Sequence, residues 1–400
     1  MASTTNMSVL LLASEWGSKR GGLSTFNREL AIHLAKHPGV QVSVFVPRCD
    51  QEEKTAALNS NVTLVQATRM PGYDEIDWLC SPPDDLQIDF VIGHGAVLGR
   101  QAQLIRKHRQ CKWVQFVHTD PEELGMFKDY SEAISKAEKK HRVEVDLCVM
   151  ADCVVAVGPK LAEAYRSYLR FCGKDQNVFV FTPGIFSEFL SAVQSNHDGN
   201  KFRVLAFGRG DAEDFSLKGF DIAACAVAGL NDVHLIFVGA QNNKQDEIAS
   251  RMKAYNIPPS RLRVRRFIEF REHLKQQFSE VDLAIMPSRT EGFGLVALEA
   301  MSAGLPILVS NNSGFGEVLK KVPFGSQCVI DSDDAEKWAE EIEKVWTKGR
   351  KVRLEESEAV RNSYAQEYKW EDQCRNLVET MKSIHRGREL LAPLDRKSVV

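Results

Sequence analysis

The chain has 400 residues, of which 44% are hydrophobic and 26% charged, and its formal net charge is -3. That length exceeds one typical core and implies two domains of roughly 150–200 residues, while the near-neutral charge excludes the basic excess of a general nucleic-acid binder. The nine cysteines include no C-x-x-C pair, so no metal site is expected, and their odd count points to free thiols in a reducing, cytoplasmic setting.

A short polar start leads into Val9-Leu10-Leu11-Leu12-Ala13. This run is too short for a signal h-region with flanks or a membrane span and suits a buried strand. Further strands are predicted at 42–46, 62–66, 90–92, 113–117, 153–157 and 178–181, with an amphipathic helix from Leu23 to Lys36 stopped at His37-Pro38-Gly39. Polar residues cluster at 191–201, a linker signal. The strand series restarts at 203–207 and continues at 233–238, 261–265, 282–286, 306–309 and 327–330. Short apolar runs alternating with helical patterns predict an α/β protein of two doubly wound parallel sheets that face a central cleft. The expected division is 1–195, 196–370, a helix over 371–390 that packs back on the first domain, and a tail over 391–400. Cys153 and Cys225, in apolar runs, read as core residues.

In the first domain, the glycines of Arg20-Gly21-Gly22-Leu23 open a helix after the first strand, without G-x-G-x-x-G spacing. His94 and His118 each follow a strand and should face the cleft. In the second domain, Phe207-Gly208-Arg209 and Lys218-Gly219-Phe220 follow the first strand. There Arg209 can grip phosphate oxygens in two-point fashion, and Lys218 supplies a point charge. An exposed Arg and Lys near a loop can equally be solvated side chains, and a lone His is commonly structural.

The segment from Pro287 to Gly304 carries the most chemistry: a buried strand, then Glu291-Gly292-Phe293-Gly294, then an apolar helix containing Glu299. Glycines let backbone approach a ligand, and the helix start offers free N–H groups of partial positive charge, a ready diphosphate site. A carboxylate among Leu298, Ala300 and Met301 needs hydrogen-bond partners, either sugar hydroxyls or a buried arginine. Glu291 stands roughly 9–12 Å from it at ~1.5 Å per residue, about the span from a ribose to the sugar beyond a diphosphate; its alternative role is to cap the helix.

These residues resemble the retaining glycosyltransferases of family 4, with the two-domain GT-B fold, over nearly the whole chain. The most specific match is P-S-x-x-E-G-F-G-L-V-x-L-E-A-M-x-A-G-x-P at 287–306; the pairs at 208–209 and 218–219, Val238-Gly239 and 151–157 add to it. The resemblance implies a ribose-binding Glu299, a sugar-side Glu291 and an Arg209–Lys218 diphosphate clamp. It further implies that Gly22 approaches the donor phosphate, that His118 lies under the donor sugar, that the backbone of Phe293, Gly294 and Leu295 touches sugar and phosphate, and that Arg266-Phe267-Ile268 meets the base. The implied activity is transfer of a sugar from a nucleoside diphosphate, UDP above others, with no cofactor and no metal. Two turns depart from the family pattern: Pro183-Gly184-Ile185-Phe186, and Ser313-Gly314-Phe315-Gly316-Glu317. They keep open a binding module without turnover, a sensor or scaffold; an epimerase or phosphorylase of the same fold is a further alternative. Basic runs (Arg100, Arg106, Lys107, Arg109, Lys112; and Lys136, Lys139, Lys140, Arg142) raise peripheral membrane contact.

Overall fold

The structure, a computed structural model, describes residues 6–19, 21–128, 132–195 and 201–387. Apolar and β-branched runs form β1 (Met7–Leu12), β2 (Val40–Val46), β3 (Val62–Gln66), β4 (Phe90–His94), β5 (Lys112–Val117), β6 (Cys153–Val157) and β7 (Val178–Phe181). A second set comprises β8 (Phe202–Phe207), β9 (Val233–Ala240), β10 (Leu262–Arg266), β11 (Leu283–Met286), β12 (Ile307–Ser310) and β13 (Val329–Ile330). All ladders are parallel. The orders are β3-β2-β1-β4-β5-β6-β7 and β10-β9-β8-β11-β12-β13. Central strands such as β1 and β6 are buried throughout, because helices cover both faces of a parallel sheet.

In each sheet the order reverses once, between β1 and β4 and between β8 and β11. Chains leaving the carboxyl ends there diverge to opposite faces and open a crevice. Gly22 follows β1, His94 ends β4, His118 follows β5, Gly208 follows β8, and the 287–294 turn follows β11. One continuous apolar cluster, including Phe26, Phe186, Phe293, Phe315 and Trp370, joins the inner layers of both sheets.

The last helix, Trp370–His385, returns to the first sheet and lies along the helix Gly22–Ala35. Trp370 is its anchor, with ring centroids 5.5 Å from Phe26, 5.6 Å from Phe181 and 5.9 Å from Phe186. Both divergent turns are built into structure. Pro183 O accepts from Tyr364 Oη at 2.6 Å and Phe186 N donates to Ser302 Oγ at 3.1 Å; Ser313 caps the helix Gly314–Leu319 by accepting from Gly316 N.

Two expectations need correction. The strand expected from Gln327 is confined to Val329–Ile330, because Gly325–Cys328 forms a 3-10 turn after the left-handed backbone of Phe324 (φ 64°). Cys153 is core, but Cys225 is only half-buried, since it stands toward the outer side of its helix. Within the expected linker, 191–195 form neither helix nor strand, and 196–200 lie outside the described residues, as do 388–390 of the expected last helix and the 391–400 tail.

Candidate active site

Pro287 ends the strand region of β11, and its carbonyl lies where a Cβ on Gly219 would stand, 1.9 Å away; Gly219 also has φ +64°. Only glycine allows this approach, and it brings the preceding residue, Lys218, onto the turn after β11. There Lys218 Nζ bonds Glu291 Oε2 at 2.5 Å. Both side chains are partly exposed, at 25% and 21%, so the pair sits at the edge of solvent rather than in the core. Arg209 is exposed and has neither an ion pair nor a hydrogen bond among the described residues. A free guanidinium and a lysine with one carboxylate thus follow β8.

The helix Leu295–Ser302 starts at Gly294 without a side-chain cap, and the helix Gly22–Ala35 starts at Gly21 likewise. Glu291 therefore does not cap the helix that follows it. The two uncapped starts meet: a Cβ on Gly22 would lie 3.3 Å from the Leu295 side chain. Deeper in the cleft, Gly292 faces the carbonyl of His118, 2.2 Å from where its Cβ would be. Phe293 itself is core, its carbonyl accepting from Phe315 N at 2.7 Å, so only its backbone is available to a ligand. The structure brings Gly22, His118, Gly292, Leu295, Lys218 and Glu291 along one seam.

Glu299 is 2% exposed and bonds Arg271 at 2.8 Å. Burial pushes its carboxyl above the ordinary value, with Arg271 pulling the other way. Arg271 also grips Glu188 at 2.5 Å, and Glu188 accepts from Arg28 at 2.7 Å. The buried arginine considered from sequence is Arg271, and Arg28 and Glu188 extend it into a chain of alternating charge that reaches the first sheet. Phe267 and Ile268, after β10, line a cavity of about 480 Å³ with Arg265, Arg266 and His273.

His118 is partly exposed; its Nε2 is 2.9 Å from His94 Nδ1. Burial lowers both imidazoles, His118 to about 3. A second group escaped sequence reading: Lys160 Nζ bonds Thr290 Oγ1 at 2.6 Å, Glu123 at 2.9 Å and Asn312 O at 3.3 Å, and Asn312 Nδ2 bonds Glu123 at 2.9 Å. Glu123 and Lys160 belong to the first-sheet half, Thr290 and Asn312 to the other. The Lys after the Gly-Pro helix start at 158–160 was the available signal.

Much of the first basic run serves structure. Arg106 and Lys112 bond Asp152, and Arg109 bonds Asp84 and the carbonyls of Pro82 and Pro83. No helix among the described residues is long and apolar enough to cross a membrane. Nor does any group of three or more His, Cys, Asp or Glu among them stand close enough to hold a metal. All nine cysteines are free thiols.

Two parallel sheets facing across a crevice, with glycine turns and helix starts on both walls, define a GT-B glycosyltransferase. The chain belongs to the family described as Family 4 Glycosyltransferase in conflict systems, whose model matches residues 10–377. A D-inositol 3-phosphate glycosyltransferase of Corynebacterium urealyticum is 24% identical over 402 aligned positions, covering 91% of each chain. Among solved structures, a sucrose-phosphate synthase from Thermosynechococcus elongatus superposes with a TM-score of 0.75 at 18% identity, over 95% of this chain and all (100%) of that one. The Anabaena protein HepE, solved with UDP and glucose, gives 0.69 at 18% identity, over 94% and 100%.

Proposed function

We propose that this glycosyltransferase draws its sugar from a UDP-sugar bound along the seam between the two sheets and transfers it with retained anomeric configuration. The observation that carries this reading is the pair of uncapped helix starts meeting at Gly22 and Leu295, with the Lys218–Glu291 pair and free Arg209 in the turns around them. Free N–H groups at a helix start favour a diphosphate. A diphosphate beside Arg209 offers Lys218 a second anionic partner and releases the Glu291 carboxylate toward the transferred sugar. Glu299, whose carboxylate has acceptor capacity beyond its bond to Arg271, takes the ribose hydroxyls. Phe267 and Ile268 line the base end.

Bond cleavage then moves negative charge onto the diphosphate, which Arg209, Lys218 and the Leu295–Ser302 helix start stabilise, as pre-aimed donors do in electrostatic catalysis. The leaving oxygen takes the acceptor proton on the same sugar face, giving retention without an enzymic nucleophile. No metal is required where cations and a helix dipole already meet the charge. The uridine preference is supported by the likeness to HepE, whose structure holds UDP.

Thermal-shift titration with UDP, GDP and ADP and their sugars, in excess chelator, tests the reading through stabilisation by bound ligand. UDP or a UDP-sugar should raise the melting temperature most, unaffected by chelator. Stabilisation that needs added magnesium or manganese counts against it. Binding of a UDP-sugar with no transfer or hydrolysis favours the sensor.

A further inference from the structure

The backbone carbonyl of Leu12, at the end of β1, decides a proton position three groups away. Asn27 Nδ2 donates to Leu12 O at 2.8 Å. A carbonyl only accepts, so the Asn27 amide cannot be reversed, and its Oδ1 is the atom facing His94 Nε2 at 3.0 Å. That oxygen also only accepts, so His94 Nε2 carries the hydrogen. Neutral His94 is then bare at Nδ1, which stands 2.9 Å from His118 Nε2; the hydrogen in that contact must belong to His118. We propose that the relay Leu12–Asn27–His94 fixes His118 as its Nε2–H tautomer and leaves His118 Nδ1 as a pure acceptor for a hydroxyl of the transferred sugar.

This rests on the nucleotide-sugar reading for its ligand, but not for its tautomers. Among the described residues, His118 Nδ1 has no protein partner and is not one of the fully buried unpartnered atoms. The carbonyl of the same residue abuts Gly292, next to Glu291, so His118 stands on the proposed sugar path. Asn27 and His94, 4% and 2% exposed, are positioning residues that act through it. Burial lowers both rings, so both are neutral at neutral pH. In a neutral ring, which nitrogen holds the proton is set by the hydrogen bond made at the other. The ring is a poor base with its value lowered to about 3; it recognises a hydroxyl donor and does not take its proton.

Long-range proton–nitrogen correlation spectra of the ¹⁵N-labelled full chain read the tautomers directly, with His94→Asn and His118→Asn for assignment. Both rings should be neutral Nε2–H forms at neutral pH, with or without donor. A His118 Nδ1–H form, or a cationic ring, overturns the proposal. Asn27→Asp tests the consequence. A carboxylate beside His94 Nε2 favours imidazolium, whose Nδ1–H then faces His118 Nε2 and forces His118 into the Nδ1–H form. Transfer should fall about tenfold below the His94 transition, the scale of one lost hydrogen bond, and recover as pH rises. Nucleotide affinity should stay within about twofold, because the lost contact is on the sugar side. A switched tautomer with unchanged transfer also overturns it. If the wild type transfers no sugar from any nucleotide, the spectra still decide the relay, and the functional reading alone fails.

Discussion

Glu291 and Glu299 lie on one short segment yet meet different cations, and the difference sorts their functions. Glu291 shares Lys218 at the edge of solvent, where a ligand can exchange partners at little cost. Glu299 is enclosed with Arg271, and Arg271 keeps Glu188 as a second partner when Glu299 is removed. Glu299→Ala should therefore weaken nucleotide binding chiefly, through lost ribose contacts made alike in ground and transition states. Glu291→Ala should chiefly lower turnover, by about 100-fold if it meets charge that develops on the sugar. Nucleotide titration and single-turnover transfer on both variants check this; small, equal effects refute the assignment. That Glu299 needs a partner can be read from its apolar neighbours in sequence. That the partner is Arg271 cannot, because the contact spans 28 positions and depends on how the helix Arg271–Ser279 packs. Nor does any local pattern tie Asn27 to His94.

At the scale of elements, strand positions follow the apolar runs closely because a parallel sheet buries both faces of each strand, and such runs have few other uses. The weakest strand, β13, is two residues long and competes with a turn. Glycine-bearing turns are visible in sequence too, but not what each glycine faces. Two that look alike are physically different. A Cβ at Gly22 meets the flexible side chain of Leu295 at 3.3 Å, whereas at Gly292 it meets the His118 carbonyl at 2.2 Å. The first contact can yield by a few tenths of an ångström; the second must push two strand ends apart. Gly292→Ala should cut transfer by roughly 100-fold, since a displacement of about 1 Å at a reacting centre carries that cost. Gly22→Ala should cost less than about tenfold on the same assay. Circular dichroism melts should show both variants folded. Equal losses would mean that the Gly292–His118 approach has no part in transfer.

For the whole molecule, two of the places that hold the halves together differ in chemistry. On one side the chain Arg28–Glu188–Arg271–Glu299 runs from the first-sheet helix to the Glu299 helix, beside the aromatic cluster around Trp370. On the other, Lys160 and Glu123 reach Thr290 and Asn312, next to Glu291. The first place is backed by buried rings and should persist in any arrangement of the halves. The second is made of partly buried hydrogen bonds and one ion pair, and it should be the place that opens to admit donor and release product. Lys160 makes three of its contacts. Lys160→Met keeps the aliphatic stem but removes the charge, and should shift the halves toward an open arrangement. Two readouts follow. The separation of fluorophores placed on the two halves should increase in the free protein and shorten on adding nucleotide sugar. Transfer should drop about tenfold, with nucleotide affinity nearly kept, if the missing stabilisation belongs to a closed state in which Glu291 and His118 flank the sugar. An unchanged separation together with an unchanged rate would assign Lys160 to surface packing.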